Sequence, residues 1–410
     1  MNVVQISQPL RTSRTFAALW GGQLLSRLGD EVFIIILPLV VYSLTGSVSA
    51  LSLLMVLRAI PQIVLQPFTG VLVDRFPRVT MMLASDSMRF ILLIIMAVLG
   101  VVHRLTIVSL DITVLVYGAV SVLFRPAYMA FRKQIFTPEI RNAAISLTQI
   151  GSQVTSLVGP SLGGLIMTLA SPVVGFIFDA ATFVFSLISL LSIRKTDTAL
   201  AKRFPKSENL TFAQELLVGY RESARHPWIW VGIISWTFII SSYSGIIPIL
   251  LPWLIKVHLR YPDYAYGLLV SMSGIGAIVA GLVAGSVRNW SHRGVVSYGA
   301  VAVQGLALLG IPLVPWLPGL MILMTIGAAG SMLFGIIHEG ILQELVADEY
   351  FGRVISFEVL CASLAQPLGY VLTGTLFRTI GGISTIIIEA AGMFLTAMLT
   401  LCVPSIRKYE

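Results

Sequence analysis

Charge is scarce in this sequence. Of its 410 residues 11% are Asp, Glu, Lys or Arg and 56% are hydrophobic, with a mean hydropathy of +0.90. A soluble domain carries about a quarter charged residues, and a body of this size has no way to cover so much apolar surface. That excludes a soluble enzyme, a secreted disulfide scaffold and a disordered regulator, and leaves a polytopic membrane protein. Cysteine is nearly absent too. Cys361 and Cys402 both sit in apolar runs, which excludes a disulfide framework and a cysteine metal cluster. There is no Gly-x-x-x-x-Gly-Lys-Ser/Thr segment, so this chain does not hydrolyse ATP to drive its work. His338-Glu339-Gly340-Ile341-Leu342 opens like a zinc-peptidase helix but lacks the second histidine, and the five histidines are scattered. The expectation is no metal, no cofactor and no enzyme.

What is present is a series of apolar runs. A helix needs about 20 mostly apolar residues to cross a bilayer. Twelve segments meet that requirement: 16–45, 48–72, 79–101, 107–130, 142–169, 172–193, 228–255, 264–287, 295–314, 318–340, 352–378 and 383–403. The expected fold is therefore an all-α membrane protein of twelve transmembrane helices. Two hairpins are tight, at Thr45-Gly46-Ser47 and at Pro315-Trp316-Leu317-Pro318. The one long polar segment divides the chain into an N-terminal six-helix half (1–193), a linker (194–227) and a C-terminal six-helix half (228–410). Within the linker Ala213, Leu216, Leu217, Tyr220 and Ala224 recur at helical spacing, the pattern of an amphipathic helix on the inner membrane surface or of a solvated linker helix.

The excess of basic residues, a net +8, is explained by topology. With the N-terminus inside, the cytoplasmic tails and loops hold 19 of the 27 Lys and Arg, the outer loops four and the spans four. By the positive-inside rule both termini are cytoplasmic, and the charge needs no nucleic acid. The first apolar run carries Arg27, Asp30 and Glu31 in its middle, so it reads as a retained helix rather than a signal segment.

A charge at the centre of a span costs roughly 2.5–3.5 kcal/mol, so each one inside a helix asks for a reason. Gln23, Arg27 and Asp30 share one face of the first span, with Glu31 one turn above Arg27, and Arg58 lies at similar depth on the second. The expectation is that Asp30 or Glu31 binds a coupling proton and that Arg27 or Arg58 is its switchable partner. Asp86 and Arg89, three apart on the third span, should pair with each other near the cytoplasmic end, as a structural pair or as part of a cytoplasmic gate. Arg125, ahead of Pro126, is placed at the inner interface, where it gates. Asp179 and Glu389 fall on peripheral spans and read as structural hydrogen-bonding groups. Trp20, Gln23, Trp236, Phe334, Phe357 and Glu358 are the expected lining of a substrate cavity.

The halves repeat. Gln134-Ile135-Phe136 through Ile145-Ser146 is similar to Gln343-Glu344-Leu345 through Ile355-Ser356, and Gly70-Val71-Leu72-Val73 to Gly281-Leu282-Val283-Ala284. Two six-helix halves in parallel repeat are the plan of the major facilitator fold, with a substrate site between them. After the second span, Gly70-Val71-Leu72-Val73-Asp74-Arg75-Phe76-Pro77-Arg78 resembles the cytoplasmic signature of the major facilitator superfamily, with Pro77 in place of its second glycine and Val79 in place of a basic residue. Gly159-Pro160 with Gly163-Gly164 in the fifth span resembles the antiporter motif of its drug–proton exchangers. Leu19-Trp20-Gly21-Gly22-Gln23, Gly29-Asp30, Arg58, Pro61, Arg125-Pro126-Ala127 and Gly352-Arg353-Val354 resemble the branch of macrolide-efflux-type permeases and the enterobactin exporter.

The resemblance implies a secondary transporter that works by alternating access and exports hydrophobic or amphipathic compounds in exchange for protons. Gly70, Asp74, Arg75 and Arg78 would form a cytoplasmic latch, with Glu139 as a partner for its arginines. The protein would sit in the cell membrane as a monomer, with a small-molecule substrate, protons and lipid as its partners. A siderophore or lysophospholipid transporter of the same fold, or a receptor that kept the fold without transport, is the alternative.

Overall fold

The computed structural model describes residues 3–136, 140–201, 212–287 and 290–407. Among these residues the secondary structure is helical throughout: α1 (Val3–Thr12), α2 (Arg14–Thr45), α3 (Val48–Arg75), α4 (Arg78–Val101), α5 (Ile107–Ile135), α6 (Arg141–Leu169), α7 (Pro172–Ala201), α8 (Phe212–Arg225), α9 (Pro227–His258), α10 (Asp263–Ser286), α11 (Arg293–Gly310), α12 (Leu317–Leu345), α13 (Asp348–Ile380), α14 (Gly382–Leu401) and α15 (Pro404–Arg407). In hydrocarbon every backbone N–H and C=O must be satisfied internally, and the helix does this within one segment.

Ten helices are long and apolar enough to cross a membrane among the described residues. The other two long ones, α2 with 32 residues and α6 with 29, are interrupted by polar side chains: Gln23, Arg27, Asp30 and Glu31 in α2, and a Ser, Thr, Gln and Gly series in α6. Together they match the twelve expected spans. Several helices run on beyond the expected ends. α5 continues to Ile135, α7 to Ala201 and α12 to Leu345, because hydropathy marks only the part in hydrocarbon while the backbone keeps its helical bonds into the polar layer.

The turns follow from local chemistry. Gly46 takes φ +60° between α2 and α3, and Gly381 takes φ +81° between α13 and α14. Both are left-handed conformations that glycine adopts without steric cost. Thr106 caps α5, its side chain accepting from the Ser109 amide while the Ser109 hydroxyl accepts from the Thr106 amide. In α9, Pro248 and Pro252 lack amide hydrogens, and the helix widens into π turns over Ile246–Leu250 and Leu254–His258.

The chain divides into two compact units, Met1–Thr45 with Leu57–Glu208, and Gly46–Val56 with Asn209–Glu410. In the first, α7 packs on α2 and α4, α2 on α6, and α4 on α5. In the second, α14 packs on α9 and α11, α9 on α13, and α11 on α12. These are the same pairings six transmembrane helices later, so the weak sequence repeat is a repeat of packing. In the second unit α10 also packs closely on α12, and in the first a Cβ on Gly118 of α5 would collide with the Arg58 carbonyl of α3.

α8 packs on α13 through its small residues: Gly219 and Ser223 are buried, and a Cβ on Gly219 would collide with the Arg353 carbonyl. Leu217 and Tyr220, on the apolar stripe, are 47% and 43% exposed and so remain largely uncovered by that contact. Close helix approach selects small side chains over large apolar ones, and a hydropathy pattern does not register that preference.

The α10–α12 contact depends on glycine in the same way. A Cβ on Gly276 would run into the Thr325 carbonyl, while Gly285 on the same helix faces open space. Gly276→Val is expected to lower the stability of the detergent-solubilised protein by about 1–3 kcal/mol. Gly285→Val should stay within about 0.5 kcal/mol of wild type. Chemical unfolding followed by circular dichroism measures both.

Candidate functional site

The polar side chains of the first unit converge on one guanidinium. Arg89, on α4, is 5% exposed and pairs with Asp86 one turn before it. Three rings from two other helices surround its plane, with centroids 4.6 Å (Phe183), 4.9 Å (Phe124) and 5.8 Å (Tyr117) from the guanidinium carbon. Its Nη1 faces the Asp30 carboxylate of α2 at 3.8 Å. Tyr117 of α5 donates its hydroxyl to the same carboxylate at 2.5 Å. Asp86 in turn accepts from Ser186 of α7 at 2.6 Å, and Ser186 accepts from the Gln23 amide of α2 at 2.9 Å. The network closes on itself through α2, α4, α5 and α7.

A third carboxyl borders it. Asp179 of α7 is fully buried, accepts from Thr182 at 3.3 Å and lies within the electrostatic reach of Asp30, Arg89 and Asp86. Its Oδ1 presses against the backbone of α2 where Gly29 leaves room, and a Cβ there would collide with it. Two carboxyls thus face one guanidinium and a third lies in its field, so the charge of the cluster depends on how many protons it holds. Asp86 and Asp179 are sealed at 0% exposure, whereas the Asp30 side chain is 34% exposed. Of the three, Asp30 is the one that the protein does not enclose.

This arrangement corrects several expectations. Arg89, not Arg27 or Arg58, is the cation that meets Asp30. Arg58 and Arg27 act on Glu31, the other carboxylate of that expectation, whose Cβ packs against Gly159 of α6. Asp86 and Arg89 do pair, but inside the unit with Asp30 and Ser186 rather than as an isolated pair near the cytoplasmic end. Asp179 borders the central network rather than lying apart on a peripheral helix. Gln23 is 6% exposed and buried against α7, so it does not line an open cavity. Trp20 donates its indole N–H to the Leu147 carbonyl at 3.2 Å, tying α2 to α6.

The small-residue face of α6 packs on α2. Gly159 abuts Glu31, and Gly163 sits where a Cβ would be 3.0 Å from the Val32 carbonyl, with Pro160 inside the helix and Gly164 buried beside it. The Gly-Pro-x-x-Gly-Gly run is therefore the seat of the helix that carries Asp30 and Glu31. Arg125 is exposed. The surroundings of Gly70, the side chains of Asp74 and Arg75, and the whole of Glu139 lie outside the described residues, so the expected latch is traced only by its backbone at the last turns of α3 and by Arg78, which opens α4.

In the second unit Trp236 and Phe334 stack at 4.6 Å, and Phe334 is 3% exposed. Phe334 is thus part of the core rather than an open wall. Phe357 meets Tyr220 of α8 and Trp230 of α9. Glu358, expected to touch substrate, is hydrogen-bonded to His338 at 2.8 Å. Sequence reasoning missed Tyr117, Ser186 and His338. Each is an uncharged polar group in an apolar span, and its partner lies 20 to 163 positions away along the chain. The signal that was available is the rule that any polar group at mid-membrane needs a partner.

A bundle of transmembrane helices in two repeated six-helix units, with a partly exposed carboxylate held in the first, is the build of a secondary transporter. The family profile described as Major Facilitator Superfamily matches residues 19–339. The chain belongs to that superfamily and is a multi-pass membrane transporter of small molecules. It is 26% identical to the uncharacterized MFS-type transporter YfiS of Bacillus subtilis (strain 168), over 97% of this chain and 95% of that one. It is 25% identical to Macrolide efflux protein A of Streptococcus pyogenes (96% and 97% covered) and 23% identical to the Multidrug efflux pump Tap of Mycobacterium bovis (94% and 93% covered). In fold it is similar to a bacterial homologue of the iron transporter ferroportin, with a TM-score of 0.73 and 15% identity over 95% of this chain and 98% of that one. The nucleoside transporter NupG gives a TM-score of 0.76 and 11% identity, with 94% and 99% covered.

Removing one member of a buried charge pair leaves the other uncompensated, which costs about 3–5 kcal/mol. Asp86→Ala is therefore expected to destabilise the protein severely. Ser186→Ala, which removes two buried hydrogen bonds, to Asp86 and from Gln23, should cost about 1–3 kcal/mol. Thermal unfolding in one detergent, with both variants side by side, checks the order.

Proposed function

We propose that this protein is a proton-coupled exporter of hydrophobic or amphipathic, drug-like compounds, with Asp30 as the group that takes up and releases the coupling proton. It lies in the cell membrane with both termini on the cytoplasmic side. The single observation that carries the reading is the setting of Asp30: one third exposed, hydrogen-bonded by Tyr117 and facing Arg89. Protonated, Asp30 loses its attraction to Arg89, which then rests on Asp86 alone. Deprotonated, it draws the guanidinium back. Because α2, α4, α5 and α7 all contribute to the network, a proton on Asp30 changes the forces among four helices at once. Glu31, seated on the Gly159–Gly164 face of α6 beside Arg58 and Arg27, is the second carboxylate placed to respond.

The choice of cargo rests on the relatives. Two are named for macrolide and multidrug efflux and match nearly the whole chain. Gly70, Asp74, Arg75 and Arg78 are assigned to the cytoplasmic latch, released when the protein opens inward. Trp236 and Phe357 are assigned to the apolar surface that bulky cargo meets.

The test is flux in proteoliposomes, with ethidium and a macrolide as cargo and an imposed pH gradient as the driving force. Wild type should move at least one of them only when the gradient is present. Asp30→Asn should reduce gradient-driven flux to that of liposomes without protein, while Glu31→Gln retains part of it. If Asp30→Asn transports like wild type, Asp30 is not the carrier. If the gradient drives nothing while a lysophospholipid moves without it, the proton-coupled drug-export reading is overturned.

A further inference from the structure

The second unit contains its own buried titratable cluster, separate from the Arg89 network. His338 of α12 and Glu358 of α13 share a hydrogen bond of 2.8 Å between Nε2 and Oε1, with their side chains 8% and 15% exposed. The other ring nitrogen, Nδ1, is buried and has no hydrogen-bond partner among the described residues. One further buried polar atom nearby is in the same condition, the hydroxyl oxygen of Tyr298 on α11. The two groups border the same small space. The Tyr298 oxygen and His338 Cε1 lie 3.4 and 3.6 Å from the point where a side chain on Gly232 of α9 would begin. Unpartnered buried polar atoms cost about 1–3 kcal/mol each, so two around one histidine ask for a function.

Aromatic rings cover the histidine. Phe334 stacks on the imidazole with its centroid 5.2 Å away, and Trp228 lies against it at 5.3 Å. Aromatic faces attract a cation, and the Glu358 carboxylate supplies the countercharge. The other ionisable groups around it are few. α11 presents Tyr298, and α9 presents Trp228 from its first turn, while its Lys256 and His258 lie in its last turn. α10 carries Asp263, Tyr264 and Tyr266 only in its first turns. On α13, Cys361 and Tyr298 of α11 are the groups that feel Glu358 electrostatically, and Arg353 lies more than a turn before it. Glu339 adjoins His338 on α12 but is directed to Gln343.

We infer that His338, held by Glu358 and faced by Tyr298, is a second proton-binding site, located in the C-terminal unit and independent of Asp30. Neutral His338 donates from Nε2 to Glu358 and keeps Nδ1 free. The incoming proton bonds to Nδ1, no bond between heavy atoms changes, and the imidazolium stays paired with Glu358 while its new N–H is directed toward the side bordered by Tyr298. That this proton takes part in the transport cycle rests on the proton-coupled reading given above; that it binds does not.

Trp228 reports on the ring directly, because a charged imidazole in contact with an indole quenches its fluorescence. In the purified full-length protein in lipid nanodiscs, wild-type emission should fall reversibly in a single step as pH is lowered. His338→Asn should remove that step and reduce the protons taken up on acidification, counted with a pH dye, by a single proton. Glu358→Gln should keep the step but displace its midpoint by roughly a pH unit or more. Asp30→Asn should leave it in place, so a failure of Asp30 as the coupling carboxylate and a failure of this site give different results. A step that survives in His338→Asn, or that keeps its midpoint in Glu358→Gln, overturns the inference. Circular dichroism confirms that each variant is folded, and Tyr298→Phe serves as a milder variant if His338→Asn does not fold: it should shift the midpoint while the step remains, and an unchanged midpoint counts against the site.

Discussion

The first unit is organised by one buried guanidinium. A cation placed among apolar helices must be paired, bonded and covered, and each of those demands draws in another helix. Arg89 takes Asp86 from its own helix, Asp30 from α2 and aromatic cover from α5 and α7. The bonds from Tyr117, Ser186 and Gln23 then complete the carboxylates that balance it. Apolar packing alone would let these helices slide or rotate at small cost. Directional bonds to a single centre specify how they meet, and they make that arrangement sensitive to a proton.

The rest of the unit serves the same centre. Gly29 lets α7 bring Asp179 against α2, and the glycines of α6 let a second helix seat behind Glu31. These small residues add nothing to hydrophobic burial; they determine how close a carboxylate comes to its partners. The second unit repeats the helix pairings without repeating the charge. Its buried pair is His338 with Glu358, on α12 and α13, the fourth and fifth transmembrane helices of that half, whereas Arg89 and Asp30 lie on the third and first of theirs. One architecture thus carries two different titratable centres.

Much of this is legible in the sequence, and the limit has a physical reason. The twelve spans, the tight turn at Gly46 and the polar character of α2 all follow from rules that act along the chain, because hydropathy and glycine conformation are local. Asp30 and Glu31 stand out because a charge in hydrocarbon needs a reason. Its partner does not stand out. Arg27 and Arg58 are near Asp30 by position and depth, while Arg89 reaches it only because α4 and α2 both pack on α7. The exposed Leu217 and Tyr220 of α8 make the same point from the other side: an apolar stripe marks a face, but Gly219 decides which face touches α13.

The central claim is that Asp30 exchanges a proton while Asp86 and Asp179 stay sealed. Infrared difference spectroscopy of the membrane-reconstituted protein tests it most directly. As pH is lowered, the wild type should gain a carboxylic-acid C=O band that is absent from Asp30→Asn and is shifted in Tyr117→Phe, which removes the hydrogen bond to that carboxylate. A band that appears unchanged in Asp30→Asn would place the exchanging proton elsewhere and contradict the account.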